Sequence, residues 1–167
     1  TYPIGGITSW QRAVHPATPT ELVFGRDLIE VEILNQARNA RLLTLFNTHL
    51  KSHYVDFRED PAAGQAAANE RRRQQAETVG RIVKARMRPD SRYVVVGDMN
   101  DPPTSEFLAG FAQEPELRLV NGLASPQETR PPKADDPMPA SPAWTHRYKA
   151  ANQNAHYELY DHVWLSP

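Results

Sequence analysis

Cysteine is absent from this 167-residue chain, which excludes disulfide bonds, thiolate metal sites and cysteine nucleophiles together. No apolar run approaches the roughly 20 residues that a membrane-spanning helix needs, so we expect no membrane span. Residues 1–6 have neither a basic n-region nor an apolar h-region, so we expect no signal peptide within the chain. These absences leave the compartment open, because exported bacterial proteins often lack cysteine, as cytoplasmic ones do.

A strong excess of charge of either sign is absent too. The chain has 19 basic and 20 acidic residues and a net charge of −1. Proteins that hold nucleic acid mainly through its phosphates carry a basic face. The balance therefore argues against high-affinity DNA packaging, and it is compatible with an enzyme that meets a phosphodiester briefly.

Proline, in contrast, is abundant. The 15 prolines cluster at 102–103 and 126–142, which indicates loops. Residues 124–142 are predicted to form a loop longer than compact domains usually carry without a functional reason, and residues 53–62 a shorter one. The length and the 40% hydrophobic content are those of one domain with its own core.

A βαβ unit is the main element predicted from the pattern of apolar residues. Alternation predicts a half-buried strand over 28–33, and a second strand over 41–47 returns antiparallel to it. One long helix is predicted over 63–88, followed by a strand over 93–96. Because a helix joins them, the strands at 41–47 and 92–97 should lie in one sheet with a right-handed crossover.

The other elements are shorter. We expect residues 1–20 to be irregular, since they are polar and broken by proline. A short helix begins at Thr104 or Ser105, which would cap it. The remaining expectations are a brief strand over 117–120 and two closing strands over 143–148 and 157–165.

Polar side chains follow the strand Val94–Val96 directly, in the run Gly97-Asp98-Met99-Asn100-Asp101. A carboxylate and a carboxamide at the carboxyl end of a strand lie where open α/β sheets gather ligands, and their oxygens suit a hard cation and a phosphate. His49 ends the neighbouring strand, and Asp161 lies in the last one. Each has a structural alternative: a cap for His49, turn chemistry for the Asp-X-Asn and a buried ion pair for Asp161. Their joint occurrence at strand ends favours a functional site.

Other residues are given structural interpretations. The cluster Arg71–Arg73 is read as a solvated helix face rather than a nucleic-acid patch, because Glu70 and Glu77 interleave with it. His162 is read as structural. The aromatic residues read as core rather than as a base-stacking platform are Trp144, Tyr148, Tyr157 and Trp164.

Four motifs occur in the order that is typical of the endonuclease/exonuclease/phosphatase superfamily, the group of deoxyribonuclease I: Phe24–Leu28, Asn47–Ser52, Gly97–Asp101 and Tyr160–Pro167. The whole chain resembles this superfamily. The resemblance implies an α/β fold, with part of a two-layered β-sandwich flanked by helices and mostly one mixed sheet with the long helix 63–88. Members are about half as long again. The chain 1–167 thus resembles a single partial domain that lacks the amino-terminal strands, with their metal-binding glutamate, and the terminal Ser-Asp-His segment.

The resemblance also implies roles for individual residues. Asp98 would orient or deprotonate a water, and Asn100 would donate to a phosphate oxygen; both would help to hold Mg²⁺, or Mn²⁺ or Ca²⁺. His49 would contact the phosphate. Asp161 would orient the histidine of the absent segment. The substrate-binding candidates are Arg26 and Lys51.

Three functional hypotheses follow. The first is a metal-dependent phosphodiesterase or nuclease acting on nucleic acid or a small phosphodiester, with the isolated fragment weak or inactive. The second is a phosphomonoesterase or lipid-type phosphodiesterase on the same fold, since loops choose the substrate. The third is a folded chain without turnover, because the metal-binding glutamate is absent; a homo-oligomer is one way in which such a chain could cover its exposed sheet.

Overall fold

The computed structural model describes residues 1–56, 58, 60–88, 90–124, 132–134, 136–137, 139 and 143–167. Ten strands and two α-helices are present in this part of the chain. A 3₁₀ turn at Glu106–Leu108 leads directly into the second helix. The elements are β1 (Ile4–Ser9), β2 (Val14–His15), β3 (Thr18–Leu22), β4 (Leu28–Leu34), β5 (Arg41–His49), α1 (Pro61–Arg86), β6 (Tyr93–Asp98), α2 (Ala109–Ala112), β7 (Val120–Asn121), β8 (His146–Tyr148), β9 (His156–Glu158) and β10 (Asp161–Leu165).

Six strands form one mixed sheet in the order β1-β4-β5-β6-β10-β7. β4 and β5 pair antiparallel, as predicted for a hairpin. β5 and β6 pair in parallel, with α1 as the connection between them. The predicted α/β fold, with one mixed sheet and a long helix, is therefore confirmed. Two further pairs, β2-β3 and β8-β9, form small separate sheets.

The helix α1 begins two residues earlier than predicted and ends at Arg86. Asp60 caps it by accepting a hydrogen bond from the Ala63 amide at 2.8 Å, and Pro61 occupies the first turn, where its missing N–H costs nothing. Val79 and Val83 pack fully buried against the sheet residues Phe46 and Val95. One face of the sheet is thus sealed by α1 and α2.

Among the described residues, nothing packs as a second layer on the opposite face of the sheet, which is called the uncovered face below. Alternation along the strands turns Phe46 and Val95 toward the helix and their neighbours away from it. These neighbours are half-buried or exposed, with Ile7 65% and Leu165 40% exposed. The apolar side chains of this uncovered face are Ile4, Ile7, Ile29, Val31, Ile33, Leu43, Leu45, Val94, Val96, Val163 and Leu165.

The prediction that residues 1–20 are irregular is wrong. β1 pairs antiparallel with β4, and β2 and β3 form a hairpin against α1. The cause is tertiary: the Gly5-Gly6 pair in β1 has little strand propensity of its own, and β4 supplies an edge with which it pairs.

Other boundaries differ for similar reasons. The brief strand predicted over 117–120 is observed only at β7, and the strand predicted over 143–148 is reduced to β8. The strand predicted over 157–165 is broken, because β9 pairs with β8 whereas β10 pairs with β6. The predicted loop 124–142 lies largely outside the described residues.

Two of the structural interpretations need correction. Trp164 and Tyr157 are buried as predicted, but Tyr148 is 58% exposed and does not belong to the core. Arg72 is completely buried and is not part of a solvated face, whereas its neighbour Arg73 pairs with Glu70 in the predicted way. Among the described residues, no helix combines the length and apolar composition needed to cross a membrane.

Candidate functional site

Three of the predicted site residues lie side by side at one edge of the large sheet. In the strand register, Asp98 at the end of β6 is the partner of His49 at the end of β5. On its other side, Asp98 is the partner of Asp161 at the start of β10. All three side chains project to the uncovered face, so the site lies where this face meets the sheet edge.

Gly97 allows β5 and β6 to approach closely just before this edge. Its φ is +133°, a conformation open to glycine and strained for other residues. A Cβ at this position would lie 2.9 Å from the carbonyl carbon of Thr48 and nearer still to its oxygen. The glycine in the Gly97-Asp98 motif therefore serves a steric purpose, bringing His49 beside Asp98.

Asp98 is held by the backbone that follows it. Its Oδ1 accepts a hydrogen bond from the Asn100 amide at 2.9 Å. Asn100 has a φ of +53°, in the left-handed region that asparagine tolerates better than most residues. The Oδ2 atom of Asp98 lies 3.4 Å from His49 Nε2, and both side chains are about one-third exposed (34% and 38%). One oxygen of Asp98 thus fixes the turn, and the other is presented to His49 and to solvent.

The carboxamide of Asn100 is fixed as well. Its Nδ2 donates to the carbonyl oxygen of Leu50 at 3.1 Å, and the Leu50 amide donates to the carbonyl of Asp98 at 3.0 Å. The loops that follow β5 and β6 are therefore joined by hydrogen bonds. Asn100 keeps a second N–H and its carbonyl oxygen for a ligand.

Asp161 is exposed, and its carboxylate has no hydrogen bond or ion pair among the described residues. Its backbone amide donates to Thr145 Oγ1 at 2.9 Å, which orients the residue. Two carboxylates directly opposite each other on neighbouring strands repel. The pair of Asp98 and Asp161 is therefore a local concentration of negative charge open to a cation or a donor.

The two predicted substrate-binding residues differ. Arg26 is exposed and lies two residues before β4, which begins at the edge where β5 ends. Lys51 follows His49 closely, but its Nζ donates to the carbonyl oxygens of Ser52 and Tyr54, at 3.1 and 2.8 Å. Arg26 is thus placed at the site edge with its charge in solvent, and Lys51 is folded back onto its own loop.

His162 is structural in its surroundings, in agreement with the interpretation from the sequence. It is buried, its Nε2–H donates to the Leu159 carbonyl at 3.0 Å, and its Nδ1 accepts from Trp164 Nε1 at 3.1 Å. Burial lowers the pKa of His162 below its ordinary value. At neutral pH it is therefore an uncharged imidazole with both nitrogens engaged.

A layer of polar residues beneath the site was not predicted from the sequence. Arg72 contacts Asp101, and His53 Nε2 lies 3.1 Å from the other oxygen of the same carboxylate. The sequence did carry a signal for Arg72, since it falls at helical spacing with Ala76 and Val79 on the buried stripe of α1. An arginine in such a stripe has to be paired.

Tyr160 adds an aromatic wall to this layer. Its ring is in contact with those of His53 and His146, with centroids 5.9 and 5.0 Å away. Burial raises the pKa of Tyr160, and the negative charges of Glu158 and Asp101 raise it further. The phenol therefore remains protonated at neutral pH and is available as a donor.

A divalent metal is the cofactor that the resemblance implies, and the described residues do not form a complete site for it. The oxygen donors of Asp98 and Asn100 are of the kind that Mg²⁺ prefers. However, no group of three or more His, Asp or Glu side chains in the described part of the chain is arranged to hold a metal ion. These donors would account for only part of a coordination shell.

Comparisons with known proteins were made with the sequence and with the structure. No family model matches the sequence, and no curated protein matches it. Solved structures do match, over 99% of this chain. An endonuclease/exonuclease/phosphatase from Bacteroides vulgatus has a TM-score of 0.60 at 15% identity, with 55% of its own chain covered.

Two further structures match at a similar level. The mannosyl-6-phosphatase of Bacteroides thetaiotaomicron has a TM-score of 0.55 at 13% identity, with 53% of its chain covered. D. rerio TDP2, solved in complex with a single-strand DNA product, has a TM-score of 0.56 at 13% identity, with 53% covered. This chain spans about half the length of the structures it matches, and it has the fold that these endonuclease/exonuclease/phosphatase structures share.

Proposed function

We propose that this chain carries part of the active site of a metal-dependent phosphoester hydrolase, in the first instance a phosphodiesterase or nuclease. The observation that supports this most directly is the convergence of Asp98, His49 and Asn100 at the carboxyl ends of two parallel strands. In open α/β sheets, this is where ligands bind. The shared fold of the matched structures supports the same conclusion.

The roles proposed for the side chains follow from the atoms that the structure leaves available. Asp98 Oδ2 would accept a proton from an attacking water, or orient that water, since Oδ1 is already engaged by the Asn100 amide. The second N–H of Asn100 would donate to a phosphate oxygen. His49, next to Asp98, would donate to the phosphate or to the charge that develops on it. Asp161 would orient a histidine supplied from outside the described residues.

A divalent ion belongs to this proposal. Asp98 and Asn100 would contribute two oxygen ligands to Mg²⁺, or to Mn²⁺ or Ca²⁺, and the remaining ligands would come from outside the described residues. We accordingly propose that residues 1–167 form part of one domain. We expect the chain by itself to hydrolyse phosphoesters weakly or not at all.

The substrate is proposed as a nucleic acid or small phosphodiester. The match to TDP2 in complex with single-strand DNA supports this class. The match to a mannosyl-6-phosphatase supports the second candidate, a phosphomonoesterase, with a lipid-type phosphodiesterase as its variant on the same fold. Arg26, at the site edge with its charge in solvent, would contact the substrate phosphate in either case; Lys51 would do so only after leaving its loop.

The test compares the 167-residue chain with the product of the complete reading frame that contains it. Both are assayed with Mg²⁺ on bis-p-nitrophenyl phosphate, plasmid DNA and inositol phosphates. We expect the complete product to be active and Asp98→Asn to reduce kcat by about 100-fold or more, as loss of a general base does. Asp90→Asn, an exposed carboxylate at the opposite end of β6, is the matched control and should have no effect.

Three results would count against the proposal. Failure of the complete product on every phosphoester would refute the hydrolase. Full activity of the Asp98→Asn variant would remove Asp98 from the mechanism. Robust turnover by the 167-residue chain would refute the partial-site interpretation while leaving the hydrolase in place.

A further inference from the structure

Arg72 is the most deeply buried cation of the described residues, and it lies directly beneath the candidate site. Its side chain is 0% exposed. Its Nε donates to Asp101 Oδ2 at 2.6 Å and its Nη1 to the Lys51 carbonyl at 2.7 Å. Its Nη2 donates to Asn69 Oδ1 at 2.8 Å and lies 3.3 Å from His53 Nδ1. All three nitrogens of the guanidinium are therefore engaged.

These partners belong to three different segments. Asn69 is on α1, Lys51 and His53 follow β5, and Asp101 follows β6. Lys51 is two residues beyond His49, and Asp101 is the residue next to Asn100. The guanidinium thus connects the helix to both loops that carry the site.

A second residue of α1 also holds the loop after β5 by hydrogen bonds. Gln75, one turn after Arg72 and 2% exposed, accepts the Lys51 amide at 2.7 Å through its Oε1. Its Nε2 donates to the Val23 carbonyl at 3.0 Å. The carbonyl of Lys51 is therefore held by Arg72 and its N–H by Gln75, so the peptide units on both sides of Lys51 are hydrogen-bonded to α1.

Asp101 fixes the other loop in the same way. Its Oδ2 accepts from Arg72 and also from Ser105 Oγ at 3.0 Å, and its Oδ1 faces His53 Nε2 at 3.1 Å. The carboxylate is only 8% exposed, so the ionic pair with Arg72 has little water to compete with it. The planar fork of arginine can meet Asp101, Lys51 and Asn69 at once, which the single ammonium of a lysine cannot.

We propose that Arg72 is a positioning residue for the candidate site. By holding Lys51 and Asp101 on one rigid group, it sets the distance between His49 on one strand end and Asp98 with Asn100 on the other. The inference rests on the proposed function for its catalytic consequence. The positioning itself can be tested without that function. The backbone hydrogen bond that joins the two loops, from the Leu50 N–H to the Asp98 carbonyl, is present in this chain and reports on their arrangement.

The alternative is that Arg72 contributes only to global stability. The two interpretations predict different patterns of amide hydrogen exchange. If Arg72 positions the site, its substitution should lower amide protection in the loop and leave the strands unchanged. If Arg72 contributes only to global stability, its substitution should lower protection equally in the loop and in the strands. The reporters are the amides of Leu50 and Lys51, and the references are the amides in the middle of β5 and β6.

The first experiment measures hydrogen exchange in Arg72→Lys and Asp101→Asn. The matched control is Arg73→Lys, the adjacent arginine, which pairs at the surface with Glu70 and Glu77. We expect protection at Leu50 and Lys51 to fall at least about tenfold in either site variant that remains folded, with the strand amides unchanged. Unchanged loop protection, or an equal loss in loops and strands, would overturn the proposal.

The second experiment uses the unmodified chain, so it does not depend on how a variant folds. In a ¹⁵N spectrum of the guanidinium groups, we expect Arg72 to show a slowly exchanging Nε–H and separately resolved Nη signals, because its acceptors prevent rotation. Averaged Nη signals and rapid Nε–H exchange would mean that the guanidinium is not held, and would refute the inference.

The catalytic consequence is measured on bis-p-nitrophenyl phosphate with the complete reading-frame product. We expect Arg72→Lys to lower kcat by about 100-fold, as small misplacements of catalytic groups do, with KM changed less than kcat and Arg73→Lys unaffected. An unchanged kcat alongside loosened loops would overturn the positioning role. Inactivity of the unsubstituted protein would instead refute the proposed function, while the exchange data still decide what Arg72 holds.

Discussion

Gly97 offers the sharpest test of how the strand ends are brought together. In Gly97→Ala, the added Cβ would lie 2.9 Å from the carbonyl carbon of Thr48, whereas nonbonded carbon atoms prefer about 3.5–4.0 Å. The Thr48 carbonyl oxygen lies closer still, so the end of β6 must move away from β5 by about 1 Å or more. Since Thr48 precedes His49 and Gly97 precedes Asp98, this displacement acts directly on the distance between the two site residues.

The cost in stability has two parts. Placing a non-glycine residue at a φ of +133° costs about 1–3 kcal/mol, and overpacking against a backbone that cannot easily yield costs about 1–3 kcal/mol more. The middle of the combined range is about 4 kcal/mol. For a chain of this size, the melting temperature changes by about 2–4 °C per kcal/mol, so we expect a fall of about 8–16 °C in Tm.

The assay is differential scanning calorimetry together with ¹H–¹⁵N spectra of the site amides. Two alanine variants are the controls. Gly25→Ala meets no atom within 4 Å and should leave Tm nearly unchanged. Gly80→Ala would lie 3.0 Å from the Gly110 carbonyl carbon, so it should lower Tm by wedging α1 from α2 without moving the site signals. A Gly97→Ala chain with the parent's Tm and unmoved Asn100 signals would refute the steric argument.

Three further predictions concern charge, association and pH. Asp161→Asn removes a like charge opposite Asp98 and should raise the free energy of unfolding by about 0.2–1 kcal/mol, which urea denaturation would show; a loss of stability would contradict the repulsion. The isolated chain should self-associate through its uncovered face. In sedimentation experiments, Ile7→Lys should shift the chain toward monomer, whereas Leu22→Lys, which lies off that face, should not. An unsubstituted chain that is monomeric at high concentration would contradict this prediction. The Asp136 carboxylate accepts hydrogen bonds from Arg147 and Tyr157, which lower its pKa from 3.8 to about 2. Its contribution to the free energy of unfolding is therefore present above the unfolded-state pKa of 3.8 and is lost as the pH falls toward 2. In Asp136→Asn, the free energy of unfolding should therefore fall less steeply between about pH 4 and pH 2 than in the parent. An acid-denaturation curve identical to the parent's would contradict the ion pair's contribution to stability.

The elements with strong local signals were predictable. The hairpin of β4 and β5 and the βαβ unit that leads to β6 follow from periodicity and from the rule for crossovers, both of which act over short stretches of chain. The placement of His49 beside Asp98 followed from the same reasoning, since parallel strands joined by one helix end at the same edge. The structure adds that Asp161 stands in register with Asp98, which periodicity alone does not specify.

Elements that depend on distant partners were not predictable. β1 is a strand because β4 provides an edge for it, and the last predicted strand is broken because its two halves have different partners. Arg72 was assigned to the surface because Glu70 and Glu77 interleave with the arginine cluster, a pattern typical of a solvated helix face. Its burial requires acceptors from Lys51, Asn69 and Asp101, two of which come from other segments and meet only in the folded chain.

By itself, the sequence determined the chemistry available to this protein: a carboxylate and a carboxamide after a buried strand, a histidine after its neighbour, no thiol and no excess charge. It also determined the order of the central strands that carry them, because hydrophobic periodicity and turn residues are local properties. Only the tertiary structure decided which atoms remain open for a ligand, which loop is clamped to α1, and which face of the sheet is left uncovered. Those features depend on packing and hydrogen bonds between residues far apart in the chain, and no local pattern encodes them.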